Sequence, residues 1–573
     1  MPKPRFRGMA EKKPATGMSD QKNHWKNKLY FGDNLDILRD RISNDSVDLI
    51  YLDPPFKSGK TYNIIFQPEA GKIKGATAQI ETFEDTWRWG VEAEKNYRGL
   101  MEGTITKGKP TQKLIDLMKA MRSYLGECSM IAYLSMMAPR LLEMQRVLKK
   151  TGSLYLHCDP TASHYLKLLM DAIFGVNSFR NEIIWKRSNS PKAQAKGFGT
   201  QHDVILFYSK SDEFTFNKAY TSEFDENYLK SFRYDDKDGR GVYQTVAIVA
   251  GGLQRYPGRK EFEFQGIKAP WLYSKEKLEK WWEEGRIYQT KSGMCRLKDY
   301  LEDRPGQLVS DLWMDKDVSP LQGSSSEFIG YATQKPESLL ERVIKTGSNE
   351  ADLVLDPFCG CGTTVAVAEK LGRRWVGIDI AYLAIDIISK RLKQSGTKEN
   401  TDFEVDGEPK DAYSAEKLAQ RDPFQFQVWC ISRLNATPSQ TKSGDKGVDG
   451  IMNFPDLSKT SKVGKGIIQV KGTASVNPSM VRDLKGTLKS QDADFGILVT
   501  LKKPTQGMIN EATKEGYFNF MGRQLPRIQL LTAEDLFRDP IPIKVPRPVL
   551  PPYKKPTIKK ELEERLQKGL FEN

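Results

Sequence analysis

The chain has 573 residues, enough for several domains, and its 39% hydrophobic residues can bury a core, which argues against a largely disordered protein. The 88 Lys and Arg exceed the 74 Asp and Glu and leave a net charge of +14, which favours a polyanionic partner. Six cysteines without a Cys-x-x-Cys pair argue against a disulfide scaffold and a zinc site. No secretory signal or membrane-length apolar run is found, so a cytoplasmic location and no membrane partner are expected.

In chain order, the pattern predicts a basic flexible arm at 1–28 and then an α/β region. A β-branched, apolar run at 47–52 predicts a buried strand that two prolines end. Further on, a helix is predicted over 139–150, because Leu141, Met144 and Leu148 fall on one face and Gly152 lies beyond its end, and then a strand over 153–158. A helix capped by Thr161 and a strand over 204–208 follow.

The second half of the α/β pattern lies beyond an irregular stretch at about 210–330, which is rich in aromatic and charged residues and predicts an inserted lobe. Residues 353–378 then predict a strand, a glycine-rich turn, a helix and a strand, which is a βαβ unit with parallel strands. A polar linker is predicted at 393–410, a second ordered domain at 411–538, and an extended, solvent-exposed, Pro-rich and charged tail at 539–573.

The glycine-rich turn reads Asp356-Pro-Phe-Cys-Gly-Cys-Gly-Thr-Thr364 and lacks the spacing of a phosphate-binding loop. Asp356 in front of the turn would repel a phosphate and suit a cationic ligand. Asp379 ends the next strand, where a carboxylate can accept hydrogen bonds from ribose hydroxyls. A nucleoside with a positive charge, S-adenosylmethionine, fits these features.

A second motif, Asp53-Pro54-Pro55-Phe56, follows the predicted strand at 47–52. The Asp53 carboxylate and a proline carbonyl can together accept both hydrogens of an exocyclic amine, and Phe56 offers a ring on which a flat base can stack. Such a pocket turns the nitrogen lone pair towards an incoming methyl group, so that proximity and orientation do most of the catalysis. A base in duplex DNA would have to be flipped out to reach it.

These motifs resemble the amino-group DNA methyltransferases of the β-class, in which the Asp-Pro-Pro motif precedes the glycine-rich turn, and most closely the Mod-type methylases of type III systems. The resemblance covers about 29–392 and includes Leu156-His-Cys-Asp-Pro-Thr161 and Thr333-Gln-Lys-Pro336. It implies a Rossmann-like fold and target recognition by the inserted lobe. Asp53, Pro54, Pro55 and Phe56 would be catalytic, and Asp in front of the prolines favours adenine N6, with cytosine N4 left open. The implied cofactor-binding residues are Asp33, Thr333, Lys335, Asp356, Phe358, Gly360, Gly362 and Asp379.

The C-terminal region has its own candidate site. Asp449 follows Gly447-Val448, and Gln469 and Lys471 lie on one face of a predicted strand over 466–471 because side chains alternate along a strand. A carboxylate and an amide oxygen are ligands for Mg²⁺, and a lysine can stabilise the charge of a phosphodiester under attack.

This set resembles the Mrr-like branch of the PD-(D/E)XK nucleases, over about 420–515, in which Gln replaces the second acid. Asp449 and Gln469 would bind the metal and Lys471 would be catalytic. The preceding helix lacks the acidic residue that is often present, which puts metal affinity in doubt unless Glu416 or Asp422 compensates.

The whole sequence therefore predicts an S-adenosylmethionine-dependent adenine methyltransferase fused to an Mg²⁺-dependent endonuclease, a restriction–modification polypeptide acting on double-stranded DNA. Three alternatives stay open: a methyltransferase whose C-terminal domain only binds DNA, a modification-dependent nuclease whose first half only senses sequence, and cytosine-N4 methylation. No ATPase motif is found, so translocation along DNA would need a separate restriction or helicase subunit. A homodimer is also left open.

Overall fold

The computed structural model describes residues 25–55, 61–66, 78–84, 87–190, 197–251, 261–322, 325, 327–329, 331, 333–439, 447–456, 463–547 and 549. Most of the predicted arm at 1–28, Phe56, and the tail beyond 549 lie outside these residues. Up to residue 210 the elements, in chain order, are β1 (Asn27–Phe31), α1 (Asn34–Arg41), β2 (Val47–Leu52), β3 (Thr61–Phe66), β4 (Ala78–Glu84), α2 (Val91–Glu102), α3 (Gln112–Leu125), α4 (Ser129–Val147), β5 (Leu148–Cys158), α5 (Pro160–Phe174), β6 (Phe179–Lys186) and β7 (His202–Ser209).

A small lobe follows, and the chain then returns to the main sheet. The elements of the lobe are α6 (Glu226–Leu229), β8 (Tyr243–Ala247), β9 (Phe262–Phe264), β10 (Ile267–Ala269), α7 (Lys275–Glu283), β11 (Ile287–Gln289) and β12 (Cys295–Tyr300). Those of the return are β13 (Leu312–Trp313), α8 (Glu337–Gly347), β14 (Leu353–Asp356), α9 (Thr363–Lys370), β15 (Arg374–Asp379), α10 (Tyr382–Gln394) and β16 (Phe403–Asp406).

The main sheet has nine strands in the order β13-β6-β7-β5-β2-β14-β15-β1-β16. All neighbouring pairs are parallel except those of β7, which runs antiparallel to β5 and β6. The central strands β2 and β14 are buried at every position, as expected for parallel strands that helices cover on both faces. The predicted α/β class is confirmed.

This order places the ends of four adjacent parallel strands side by side. The strands β2, β14, β15 and β1 end at Leu52, Asp356, Asp379 and Phe31, so that the residues just after each end share one edge of the sheet. Ligands of open α/β sheets bind at the carboxyl edge, where the strand order reverses.

The inserted lobe has its own three-stranded sheet, β11-β12-β8, and its own buried cluster. Trp271 is buried in that cluster, with Trp281 and Trp282 packed against it. Trp313 instead lies on β13, which pairs with β6, so the chain is back on the main sheet by residue 312.

The C-terminal unit is a second α/β layer. Its elements are α11 (Ala412–Arg421), α12 (Pro423–Arg433), β17 (Thr437–Pro438), β18 (Gly450–Pro455), β19 (Val463–Lys471), α13 (Ser479–Ser490), β20 (Phe495–Thr500), α14 (Gln506–Lys514), β21 (Tyr517–Phe520), β22 (Arg523–Pro526) and β23 (Ile528–Thr532). Its five-stranded sheet has the order β17-β18-β19-β20-β23, in which β19, β20 and β23 are parallel.

The two units pack against each other directly. Gln425 on α12 accepts a hydrogen bond at Oε1 from the backbone N–H of Tyr382, at 2.7 Å, and the first residue of α10 is thereby tied to the C-terminal unit. The Tyr382 hydroxyl donates to Glu408, and Tyr382 and Trp429 belong to one continuous buried cluster.

Four local predictions differ from the structure. The helix predicted from 139 is α4, which begins at Ser129 and contains Pro139, because ten apolar or small residues upstream extend it. Asp159, not Thr161, caps α5 by accepting from the N–H groups of Thr161 and Ala162. The predicted linker at 393–410 contains β16, which pairs with β1. The start of the tail is not solvent-exposed throughout: Lys544 exchanges two hydrogen bonds with the Gln529 side chain.

Candidate active sites

A cavity of about 210 Å³ opens at the carboxyl edge of the four central strands. Most of the residues predicted from the sequence line it together: Asp33, Asp53, Pro54, Pro55, Thr333, Lys335, Asp356, Phe358, Gly360 and Asp379. Phe56 lies outside the described residues. Gly362 does not line the cavity. Its φ is +75° and a Cβ there would lie 2.5 Å from Ile388, so it shapes the turn that begins α9.

Asp53 is one of the acidic residues that line the cavity. Its Oδ2 forms an ion pair with Lys335, and both side chains are mostly buried. Among the residues that the structure describes, Asp53 Oδ1 is buried and has no hydrogen-bond partner. A buried acceptor without a partner costs free energy, so this atom is suited to a ligand that donates a hydrogen bond.

Two more carboxylates in the cavity are buried. Burial raises the pKa of Asp356 to about 7, although Thr364 and the Phe358 N–H donate to it. Burial also raises the pKa of Asp379 to about 6, against the N–H groups of Ala381 and Gly360, which donate to its two oxygens. A cationic ligand would favour the ionised form of both groups.

Asp33 is held in place by neighbours that the sequence pattern did not identify. One of its oxygens caps α1 by accepting from the Leu35 N–H, and both oxygens accept from Arg140 Nη2 at 2.8 and 2.9 Å. Arg140 itself is buried and also donates to Asn34. The carboxylate is thus fixed at the rim of the cavity with its charge compensated.

A buried series of hydrogen-bonded side chains, called here the buried polar chain, runs from Tyr51 on β2 through His157 on β5 to Asp203 on β7. The Tyr51 hydroxyl is 2.9 Å from His157 Nδ1, and His157 Nε2 is 3.2 Å from Asp203 Oδ2, with Arg187 next to Asp203. Hydrogen bonds from His157 lower the pKa of Asp203 against the effect of its burial. Since Asp203 is an acceptor, Nε2 carries the proton and Nδ1 accepts from Tyr51. Tyr51 also lines the cavity, so this chain supports one of its walls.

The two cysteines of the glycine-rich turn, Cys359 and Cys361, are buried, and burial raises the pKa of both thiols. A raised pKa leaves little thiolate at neutral pH, which does not suit a nucleophile or a metal ligand. They act as small packing residues.

In the C-terminal unit, the three predicted residues converge at one end of β19. The Asp449 N–H donates to the Ile468 carbonyl, and Asp449 Oδ2 accepts from the Val470 N–H at 2.7 Å. Asp449 therefore lies against the backbone between Gln469 and Lys471. Gln469 is almost fully buried, and its Oε1 has no hydrogen-bond partner within the described part of the chain.

The two acids considered as compensation are engaged elsewhere. Glu416 pairs with Lys502, and Asp422 caps α12 by accepting from the Gln425 N–H. Within the described ranges no cluster of three His, Cys, Asp or Glu side chains is found that could hold a metal ion. Asp449 and the Gln469 oxygen, which has no partner among the described residues, would offer two oxygen ligands of the kind that Mg²⁺ takes.

Comparison with known proteins gives a family for each of the two regions of the chain. A family model described as "DNA methylase", of the N6/N4 type, matches residues 47–390, and one described as "Restriction endonuclease" matches residues 418–538. The first match covers more than half of the chain, which therefore belongs to the DNA methylase family. It carries in addition a restriction endonuclease domain at its C-terminal side.

The relatives are methyltransferases of restriction–modification systems. The type II methyltransferase M.EcaI of Enterobacter cloacae is 33% identical over 46% of this chain and 57% of its own length. The Mod subunit of the type III enzyme StyLTI of Salmonella typhimurium is 26% identical over 61% of this chain and 50% of its own length. The chain thus spans about half the length of these relatives, and the predicted similarity to type III Mod proteins is confirmed.

Solved structures with similarity to the chain are DNA methylases as well. The DNA modification methylase TTHA0409 of Thermus thermophilus, in complex with S-adenosyl-L-methionine, is 15% identical over 66% of this chain and 99% of its own, with a TM-score of 0.30. The cytosine-N4-specific PvuII methyltransferase is 12% identical over 64% of this chain and 86% of its own, also with a TM-score of 0.30. In the part of the chain that is described, no helix is both long and apolar enough to pass through a bilayer.

Proposed function

We propose that the first site transfers a methyl group from S-adenosylmethionine to N6 of an adenine flipped out of double-stranded DNA. The observation that carries the proposal is the state of Asp53, whose Oδ2 is fixed by Lys335 while Oδ1 is buried without a partner. Oδ1 and the Pro54 carbonyl would each accept one hydrogen of the amine, so that the nitrogen lone pair remains for the reaction. Holding the amine in this orientation is the main contribution of the protein.

The cavity fits S-adenosylmethionine because of its charges. When bound, this cofactor supplies an activated methyl group on a positive sulfur. Asp356 and Asp379 are buried carboxylates with raised pKa values, and a cation beside them would offset the cost of their ionisation. Asp379 would hold the ribose, and Asp33, Thr333, Phe358 and Gly360 would line the remaining walls.

Adenine is proposed over cytosine because Asp, not Ser, precedes Pro54. Nucleoside mass spectrometry of duplex DNA after reaction tests this directly. N6-methyladenine from the wild type, and none from Asp53→Ala at unchanged affinity for the cofactor, is the expected result. Formation of N4-methylcytosine would show that cytosine, not adenine, is the target base. Unchanged methylation by Asp53→Ala would contradict the proposed role of Asp53.

We infer for the C-terminal domain an Mg²⁺-dependent cleavage of DNA. The supporting observation is the Gln469 oxygen, buried without a partner next to the turn that carries Asp449. Asp449 and Gln469 would hold the metal, and Lys471 would stabilise the charge on the phosphate. Methylation by the first domain would then protect host sites from the second, as in restriction–modification.

A plasmid-cleavage assay separates this function from a domain that only binds DNA. Purified protein is incubated with unmodified plasmid and Mg²⁺, with and without S-adenosylmethionine, beside Lys471→Ala. Cutting by the wild type and not by the variant is expected. Intact plasmid under all conditions would leave a DNA-binding domain, or one that cuts only with a separate subunit.

A further inference from the structure

The amide of Gln469 is held in a single orientation. Its Nε2 donates to the Gly447 carbonyl and, at 3.2 Å, to Thr487 Oγ1 on α13. Thr487 is buried, and its own hydroxyl donates to the Asp483 carbonyl one turn earlier, at 3.0 Å. The neighbourhood of this amide is therefore defined by two oxygens from two different elements.

The chemistry of these two oxygens fixes which end of the amide faces them. A carbonyl oxygen can only accept, so the group facing Gly447 must be the NH₂ end. The Thr487 hydroxyl uses its hydrogen towards Asp483 and offers a lone pair to Gln469. A flipped amide would set three oxygens against one another, and Oε1 must therefore point the other way, where it has no partner within the described residues.

Gly447 is required for this arrangement. Its φ is +80°, and a Cβ at this position would lie 2.8 Å from Gln469 Nε2. Gly447 lies two residues before Asp449, and the close approach of this turn brings the Gly447 carbonyl to the Gln469 amide. The segment that supplies the carboxylate thus also orients the amide.

We propose that Thr487 is a positioning residue of the metal site: together with the Gly447 carbonyl it locks the Gln469 amide so that Oε1 is presented as a neutral ligand to a divalent cation. The inference rests on the proposed nuclease function and deepens it. The site would bind its ion with Asp449 as the charged ligand among these residues, with Gln469 fixed in place and water completing the shell.

The fixed orientation of the amide favours Gln over Glu at position 469. In the Gln469→Glu variant, a carboxylate oxygen would take the place of the Gln469 NH₂ group. That oxygen would face the Gly447 carbonyl oxygen and a lone pair of the Thr487 hydroxyl. Ionised Glu would be repelled there, and protonated Glu would add no charge. Gln469→Glu, which restores the more common acid, is therefore expected not to tighten metal binding at pH 7.

The test is calorimetric titration of the full chain with Mn²⁺ as the probe ion, with Asp449→Asn defining the part of the binding that belongs to this site. Thr487→Val keeps the shape of the side chain and removes the oxygen, and Thr487→Ser keeps the oxygen. Loss of one neutral hydrogen bond predicts about 2- to 10-fold weaker binding for Thr487→Val, and binding within about twofold of the wild type for Thr487→Ser. Thermal unfolding of the full chain, followed by circular dichroism, reports whether each variant is folded.

Each outcome has a distinct meaning. Weaker binding by Thr487→Val, recovery with Thr487→Ser and no gain with Gln469→Glu would support the lock. Equal binding by Thr487→Val and the wild type, or tighter binding by Gln469→Glu, would overturn the lock while the metal site stands. If Asp449→Asn bound as much Mn²⁺ as the wild type, the metal site itself would fall, and this inference with it.

Discussion

The affinity for S-adenosylmethionine should rise with pH between 6 and 8. Burial raises the pKa of Asp356 to about 7 and that of Asp379 to about 6. A cationic ligand binds the ionised carboxylates, so protonation competes with binding below these pKa values. Asp356 alone would be about one-tenth ionised at pH 6 and nine-tenths at pH 8, which gives about a tenfold change in Kd, and Asp379 adds about a factor of two.

The stability of the protein without cofactor should depend on pH with the opposite sign. A carboxyl group whose pKa is raised in the folded state favours folding when protonated, so the stability that Asp356 contributes is lost as the pH rises from about 4 to about 7. The bound cation should reverse this loss. The stabilisation of the protein by S-adenosylmethionine is therefore expected to be larger at pH 8 than at pH 6.

Isothermal titration calorimetry at pH 6, 7 and 8 measures the effect, and buffers with different heats of ionisation count the protons released. S-adenosylhomocysteine is the control ligand, because it lacks the sulfonium charge and should show a shallower dependence. Asp356→Asn keeps an oxygen for the Phe358 N–H and should lose most of the slope. A Kd for S-adenosylmethionine that stays constant from pH 6 to pH 8 would show that binding does not depend on the ionisation of Asp356 and Asp379.

Three further variants test individual contacts. Lys335→Met leaves Asp53 buried without this counter-charge and should lower kcat for methyl transfer at least about tenfold, as steady-state kinetics would show. Gly362→Ala combines a left-handed φ with a contact of 2.5 Å to Ile388 and should lower the free energy of unfolding by about 1–3 kcal/mol in denaturant titrations. Tyr51→Phe removes the hydroxyl that lies 2.9 Å from His157 Nδ1 and should cost about 1–2 kcal/mol in the same titrations.

Controls separate these effects from general damage. Gly516→Ala has a similar φ of +69° but no atom within 4 Å of the new Cβ, so it should destabilise less than Gly362→Ala. Equal losses would mean that the contact with Ile388 is not what matters. A wild-type kcat in Lys335→Met would show that Lys335 does not contribute to methyl transfer. Unchanged stability of Tyr51→Phe would show that the hydrogen bonds of the buried polar chain do not stabilise the fold.

The carboxyl-edge residues could be predicted because each stands directly after a strong strand pattern. The runs before Asp53, Asp356 and Asp379 are short, apolar and rich in β-branched residues, and parallel strands bring their ends to the same edge. The residue types and their order were then sufficient to identify the family. In the C-terminal unit, alternation along β19 sets the shared face of Gln469 and Lys471, while Asp449 lies just before β18.

The supporting contacts could not be predicted, since they join distant parts of the chain. Lys335 and Asp53 are 282 positions apart, and nothing in either local pattern indicates that they pair. Similarly, β16 is four residues long with two acids, so its pattern is that of a loop until β1 is present to pair with it. Thr487 on α13 and Gln469 on β19 are 18 positions apart, and no spacing rule predicts that they form a hydrogen bond.

We propose that Asp53 holds the target amine with Oδ1, a carboxylate oxygen that has no hydrogen-bond partner among the described residues. Single-turnover methyl transfer to duplex DNA by Asp53→Asn, at saturating S-adenosylmethionine and with the cofactor affinity measured in parallel, tests it most directly. We expect the rate of methyl transfer to fall by about 10²- to 10³-fold, with a cofactor Kd within about threefold of the wild type. A transfer rate close to that of the wild type would contradict it.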